Sequence, residues 1–186
     1  QHGHIMAVGF DLYCKLLEEE MLKASGKDAP QQEISTLLEL DMNAYIPDSF
    51  VQDSILKVEI YKRMAAAENN NDIDDLAEEL RDRYGELPIT VMNLCKLGKV
   101  KVLGKKLQIA SIIQKADHIE VKFADDHHIS GENLLALLER WKNQVAFVNK
   151  KFFAIKLNTA GMEKNDSSRT DMLIDMLTEL ERNVNK

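Results

Sequence analysis

Apolar residues recur at helical spacing through the first part of the chain. The stripe over residues 9–24 predicts an opening helix, and the polar segment 25–30 that follows is typical of a linker. Residues 33–40 predict a short strand. A helical region is then expected from Pro47 and Asp48. Its apolar side is predicted to carry Val51, Ile55, Val58 and Lys62, widened by Ile60 and Met64.

A strongly acidic second helix is predicted over residues 72–84. The Asn69–Asn71 run breaks the preceding helix and supplies an N-cap, and Gly85 is a natural C-terminal cap. Negative charge in the first turns is favoured by the helix dipole. The side chains expected to face the core, at spacings of three and four, are Ile73, Leu76, Leu80 and Tyr84.

A third helix is predicted from Pro88, which suits a first helical turn, to about Leu103, where Gly104 is expected to stop it. Its second half is rich in lysine. This cluster is interpreted either as a basic patch for a phosphate or an acidic partner, or as a solvated face that complements the helix C-terminus. Its members are Lys96, Lys99, Lys101, Lys105 and Lys106.

The second half of the chain changes to the alternating period of strands. Residues 107–114 and 118–123 predict a strand pair joined by a short turn, and a hairpin is expected over 145–157. Between them Ser130 can cap a helix over 131–142, expected to bury Leu134, Leu135, Leu138 and Trp141. After the polar loop 158–169, a last helix is expected to bury Leu173, Met176, Leu177, Leu180 and Val184. The predicted fold class is α+β: a helical N-terminal half, then a small, mostly antiparallel sheet with packed helices.

Composition and charge exclude several classes of protein. The 186 residues are 45% apolar and 30% charged, an ordinary globular balance. The net charge of −7 argues against a general nucleic-acid binder. No apolar run is long enough for a membrane span, and a signal peptide is not predicted. Cys14 and Cys95 are expected to be reduced and buried, which favours a cytoplasmic location.

The chain shows no motif for catalysis or for a cofactor. Phosphate-binding glycine loops are absent, so no nucleotide site is expected, and neither a cofactor nor a metal is predicted. Asp125–His128 places four potential ligands side by side, but a solvated loop is the favoured interpretation. His2-Gly3-His4, at the start of the chain, is interpreted as a segment without its neighbours rather than as a pair of ligands.

The acidic helix offers the more specific hypothesis. If its apolar stripe faces inward, Glu79, Asp82 and Arg83 lie at or near the outer face. The helix dipole accounts for acids in the first turn but not for these later ones. A basic partner surface would account for them, and so would a simple need for solubility.

Several motifs occur in the order found in one known family. They are Tyr45-Ile46-Pro47-Asp48, Tyr61-Lys62-Arg63, and Glu79-Leu80-Arg81-Asp82-Arg83-Tyr84-Gly85 with Pro88. The opening residues 1–13 are similar to that family's Gln-x-Gly hook and the helix after it. On these motifs the chain resembles the C-terminal domain of the bacterial transcription-repair coupling factor (Mfd) family, mainly before Leu107.

The resemblance implies a domain organisation and a role. Residues 1–25, with Gln1 and Gly3 as remnants of the translocation motif, would be the tail of the motor's second lobe, and residues 26–186 a C-terminal regulatory domain. That domain is expected not to be an enzyme, although the parent would be an ATP-dependent DNA translocase. It would pack on the N-terminal UvrB-like module of the same polypeptide, mask UvrA recruitment and restrain the motor until stalled RNA polymerase is engaged.

The implied contact residues are Glu79, Asp82 and Arg83, carried over on the EL-x-DR motif. Double-stranded DNA would be met only through the full-length protein, and no membrane is involved. The rival interpretations are an independent nucleic-acid-binding module that uses Lys96–Lys106, and a small enzyme with a site that one sequence does not reveal.

Overall fold

The computed structural model describes Cys14, Glu19 and Lys23, residues 35–164 and residues 167–186. These residues form two compact units, one containing 42–102 with the three isolated residues and the other containing 35–41 and 103 onward. Cys14, Glu19 and Lys23 are helical, in agreement with the predicted opening helix. The rest of that helix, and the predicted domain boundary after residue 25, lie outside the described residues.

Three helices build the continuously described part of the first unit, from residue 42 onward. They are α1 (Ser54–Ala65), α2 (Asn70–Tyr84) and α3 (Ile89–Lys106), and the last turn of α3 belongs to the second unit. The core of the first unit is apolar, and each fully buried side chain of this kind contributes about 1.5–3 kcal/mol. Its members include Ile60, Met64, Ile73, Leu76, Leu80, Val91 and Leu94.

Helix α1 begins later than the sequence predicts. The amides of Phe50 and Val51 donate to the Pro47 carbonyl and close a turn, and the Asp53 side chain then caps the helix. The predicted apolar side is wrong in part: Ile55 is 73% and Val58 40% exposed, whereas Val51, Ile60 and Met64 are buried as expected. The buried side is the one with Ile60 and Met64, because α3 approaches α1 there through a glycine, Gly98.

Helix α2 confirms the predicted caps. Asn69 and Asp72 form a reciprocal capping box at its start, and Gly85, with φ of 92°, ends it in a conformation that favours glycine. Of the predicted inner face, Ile73, Leu76 and Leu80 are buried and Tyr84 is half-buried.

The predicted stop of α3 at Gly104 is wrong, because the helix continues to Lys106. The glycine is needed for close packing instead: a Cβ at Gly104 would lie 2.3 Å from the Thr36 Oγ1. The Thr36 hydroxyl donates to the Ile109 carbonyl at 2.8 Å. This close approach anchors the segment that leads into the first strand.

The described residues of the second unit form a five-stranded sheet and two further helices. The strands lie in the order β1-β2-β3-β5-β4, with β1 parallel to β2 and all other pairs antiparallel. This arrangement confirms the predicted α+β class. The strands are β1 (Leu37–Glu39), β2 (Ile109–Gln114), β3 (His118–Phe123), β4 (Val145–Asn149) and β5 (Phe153–Asn158); the helices are α4 (Gly131–Trp141) and α5 (Ser167–Val184).

The predicted inner face of α4 is partly wrong. Ser130 caps the helix as expected, in a capping box with Asn133. Leu137 and Trp141 are buried, whereas Leu135 is 66% exposed, because it lies off the stripe that repeats every three and four residues. On α5 the predicted apolar face is confirmed at Leu173, Met176, Leu177 and Leu180, and Val184 is half-buried.

Candidate contact surface on the acidic helix

The outer face of α2 carries a row of three carboxylates, Asp75, Glu78 and Asp82. Their spacing of three and four residues places them on one side of the helix, opposite the buried stripe. All three are exposed, and none of them forms an ion pair within the described part of the chain. The acidic row, as we call these three residues, therefore presents three unpaired carboxylates to solvent.

Glu79 lies beside this row but is already paired. Its two oxygens accept bidentate hydrogen bonds from the Arg63 guanidinium on α1, at 2.8 and 2.7 Å. These bonds lower the pKa of Glu79 and raise that of Arg63. Arg83, one turn further on, approaches Glu79 at 4.0 Å. Glu79 thus forms an ion pair that links α1 and α2.

Asp82 and Arg83 lie together at the C-terminal end of α2, and both are exposed. The Arg83 guanidinium lies 5.3 Å from the centre of the Tyr84 ring, and that ring packs against Phe50 at 5.5 Å. The aromatic pair holds the end of α2 on the segment before α1. The end of the helix therefore displays an acid and a base on a rigid support.

The other motif residues join the same helices. The Tyr61 hydroxyl accepts a hydrogen bond from the Ile46 amide at 3.1 Å, and burial raises the pKa of this phenol. Lys57 pairs with Asp48. The Ile-Pro-Asp and Tyr-Lys-Arg motifs thus meet in the first unit, where they hold the segment before α1 against α1.

The predicted lysine cluster is largely engaged in interactions. Lys99 pairs with Asp74 at 2.6 Å, and Lys106 pairs with Glu181 at 3.6 Å. Lys96, Lys101 and Lys105 each take part in an interaction as well. The cluster is also divided between the two units. Nothing in this arrangement favours a single nucleic-acid-binding surface along α3.

The loop Asp125–His128 packs against the sheet through His127. The His127 ring lies between Phe123 and Phe153, with ring centres 5.8 and 5.2 Å away, while Asp125, Asp126 and His128 are exposed. Within the described residues no group of His, Cys, Asp or Glu side chains is arranged to hold a metal ion. Gln1, Gly3 and their histidine neighbours lie outside the described residues.

Comparison with known proteins identifies the family. A profile of the TRCF domain matches residues 40–134, which is half of the chain. The chain belongs to the TRCF domain family. Two transcription-repair-coupling factors are similar over most of the chain: one from Rickettsia prowazekii, 32% identical over 97% of it, and one from Bacillus subtilis, 28% identical over 89%.

A solved structure agrees with this assignment. The crystal structure of the C-terminal domain of transcription-repair coupling factor matches with a TM-score of 0.68 and 25% identity, covering 80% of this chain and 94% of that one. The chain spans only 16% and 14% of the Rickettsia and Bacillus relatives. No helix in the described part of this TRCF domain is both long and apolar enough to cross a membrane.

Sequence reasoning missed Arg63 as a partner of Glu79. Both residues stand in motifs that carry the resemblance, but they are sixteen positions apart and on different helices. Helical period links only residues on one helix, so it gives no signal for this pair. The joint presence of the Tyr-Lys-Arg and EL-x-DR motifs in the TRCF domain is the one signal that could have pointed to this pair.

Proposed function

We propose that this TRCF domain is a non-catalytic regulatory segment of an ATP-dependent DNA translocase in transcription-coupled repair. It packs on the N-terminal UvrB-like module of the same polypeptide, covers the surface that recruits UvrA, and restrains the motor until stalled RNA polymerase is engaged. The observation that supports this most directly is the exposed, unpaired acidic row of α2, which ends at Asp82 beside Arg83.

A regulatory contact has to hold in one state and release in another. Exposed ion pairs are worth roughly 0–1 kcal/mol each, so a few of them bias an equilibrium without locking it. Only the difference in contact energy between the closed and open states shifts the populations. The acidic row, with its neighbours at the end of α2, matches a contact of that strength better than an apolar seam does.

The residues have distinct roles in this proposal. Asp82 and Arg83 meet the partner directly, with Asp75 and Glu78 extending the negative field toward it. Glu79 holds α2 against α1 through Arg63, and because its side chain is 41% exposed, a cation of the partner can still reach it. Arg63 therefore belongs to the contact surface as a positioning residue.

The test uses the full-length parent protein. Asp82→Arg removes an attraction and adds a repulsion, so we expect the basal ATPase rate and UvrA binding to rise about three- to tenfold. Asp126→Arg makes the same charge change at an exposed loop and should leave both unchanged. If Asp82→Arg and Glu79→Arg both leave the ATPase rate and UvrA binding at wild-type values, neither residue takes part in the regulatory contact.

A further inference from the structure

The segment from the end of α4 through the β4–β5 hairpin is basic in an acidic chain, although Arg140 at its start pairs with Glu179. Between residues 140 and 158 there are five cationic residues and no Asp or Glu, although the whole chain carries a net charge of −7. The proposed regulatory contact on α2 makes no use of this segment. Three of its lysines are exposed and flank β4 at its two ends: Lys142, Lys150 and Lys151.

Strand β4 is an open edge of the sheet. It pairs with β5 on one side, and within the described residues no strand pairs with its other side. Natural edge strands are usually protected by being short, or by an internal charge, a proline or a bulge. Edge strand β1 is only three residues long, whereas β4 is five residues long, uncharged and regularly paired.

The hydrogen-bond pattern shows which backbone groups of β4 face outward. The Asn158 amide donates to the Gln144 carbonyl at 2.7 Å, so Gln144 directs its backbone toward β5. This direction alternates along an antiparallel strand, so Ala146 and Val148 also bond to β5. Val145, Phe147 and Asn149 then point their N–H and C=O groups away from the sheet, ready for another strand.

The lysines beside this edge determine which kind of strand can pair with β4. A second copy of this chain would bring its own lysines against Lys142, Lys150 and Lys151, in a parallel or an antiparallel pairing, and like charges across strands are destabilising. A strand with acids at both ends gains attraction at both ends instead. Half-buried Phe147 and Val148 offer apolar contacts to its central side chains.

We propose that the outer edge of β4 docks an extended, acid-flanked strand of a separate partner protein, which adds to the sheet next to β4. The partner's backbone bonds to Val145, Phe147 and Asn149, and its flanking carboxylates lie near the lysines. In this mode of recognition the main chain gives affinity and the side chains give specificity.

The test uses the whole chain and three synthetic peptides with the same alternating Val-Thr core. One carries glutamates at both ends, one carries lysines there, and one is the glutamate peptide with methylated backbone nitrogens. We expect the glutamate peptide alone to bind and its affinity to fall with added salt. It should slow amide exchange at Val145, Phe147 and Asn149, whereas Ala146 and Val148 are protected already. Equal binding of the charged peptides, or protection elsewhere, would overturn the proposal.

A charge-reversed variant separates the lysines from the backbone edge. Lys142→Glu, Lys150→Glu and Lys151→Glu together should weaken the glutamate peptide about tenfold and favour the lysine peptide. The matched control reverses Lys115, Lys164 and Lys186, which are also exposed, and should change little. Self-association through β4, or duplex DNA that binds the wild type and is lost with the β4 variant, would assign the edge to a different occupant and contradict the proposal.

Discussion

Helices α2 and α3 follow each other in the chain but use their residues in opposite ways. Helix α2 buries one stripe of three residues, and eight of its other twelve residues are charged. Helix α3 is buried on almost every side, including Val91, Leu94, Leu97, Val100 and Leu103. The exposed residues of α3 lie near its ends, at Ile89, Met92, Lys105 and Lys106, so α2 offers the more continuous free surface for a contact with a partner.

This difference explains why glycines are important for the packing of α3 and charged side chains for the surface of α2. In α3 two glycines lie where neighbours come within contact distance: Gly98 next to Met64 and Ile73, and Gly104 next to Thr36. In α2 the only glycine is the cap, Gly85. Substitutions in α3 should therefore act on stability, and substitutions on the outer face of α2 on recognition.

The largest effect is expected from Gly104→Ala. The new Cβ would lie 2.3 Å from the Thr36 Oγ1 and 3.0 Å from its Cβ, so the anchor of β1 has to shift. We expect a loss of about 1–3 kcal/mol in the free energy of unfolding, measured by urea titration. Gly98→Ala should cost less, because the atoms it meets belong to the flexible side chains of Ile73 and Met64.

Gly131→Ala is the control for this prediction. Gly131 also lies in a helix, but a Cβ there meets nothing within 4 Å. It should be neutral, or stabilising by about 0.4–1 kcal/mol through the unfolded chain. A Gly104→Ala protein as stable as Gly131→Ala would show that Thr36 does not restrict this part of α3.

The sequence predicted α2 well because its information is local. Asn69 and Gly85 mark its ends, and a one-sided stripe tells which face is inward. For α3 the same rules failed at Gly104, because its apolar residues fall on every side of the helix and mark no single inner face. A glycine in such a helix can either end it or allow a close approach. Only the position of Thr36, which comes from a distant segment, decides between a stop and a close approach.

The contact surface on α2 was likewise predictable only where local sequence information decides the outcome. The exposure of Asp82 and Arg83 follows from the stripe on their own helix. The pairing of Glu79 with Arg63 depends on how α1 packs, and the apolar side predicted for α1 was wrong at Ile55 and Val58. The open edge of β4 likewise requires the strand order, which local patterns do not contain.

A smaller effect is expected at Cys95, on the buried side of α3. Burial raises the pKa of its thiol to about 11, so at pH 8 the reactive thiolate is about a hundredfold scarcer than for an ordinary cysteine. In a Cys14→Ala background, alkylation by iodoacetamide should be slow in the folded protein and fast in denaturant. Labelling at the unfolded rate without denaturant would show that this side of α3 opens readily.

The smallest effect is expected from the Arg63–Glu79 ion pair, which links α1 to the exposed face of α2. Since Arg63 lowers the pKa of Glu79 in the folded state, the pair stabilises above the unfolded carboxyl pKa of about 4.3 and loses that contribution as pH falls through the folded value. Arg63→Gln should therefore lower the unfolding midpoint slightly at neutral pH, and the difference from wild type should disappear in acid. In a Glu79→Gln background the same substitution should show no such pH dependence. If the effect of Arg63→Gln still depends on pH in that background, Arg63 is stabilised by a group other than Glu79. Helix α2 would then be held on α1 by its apolar stripe alone.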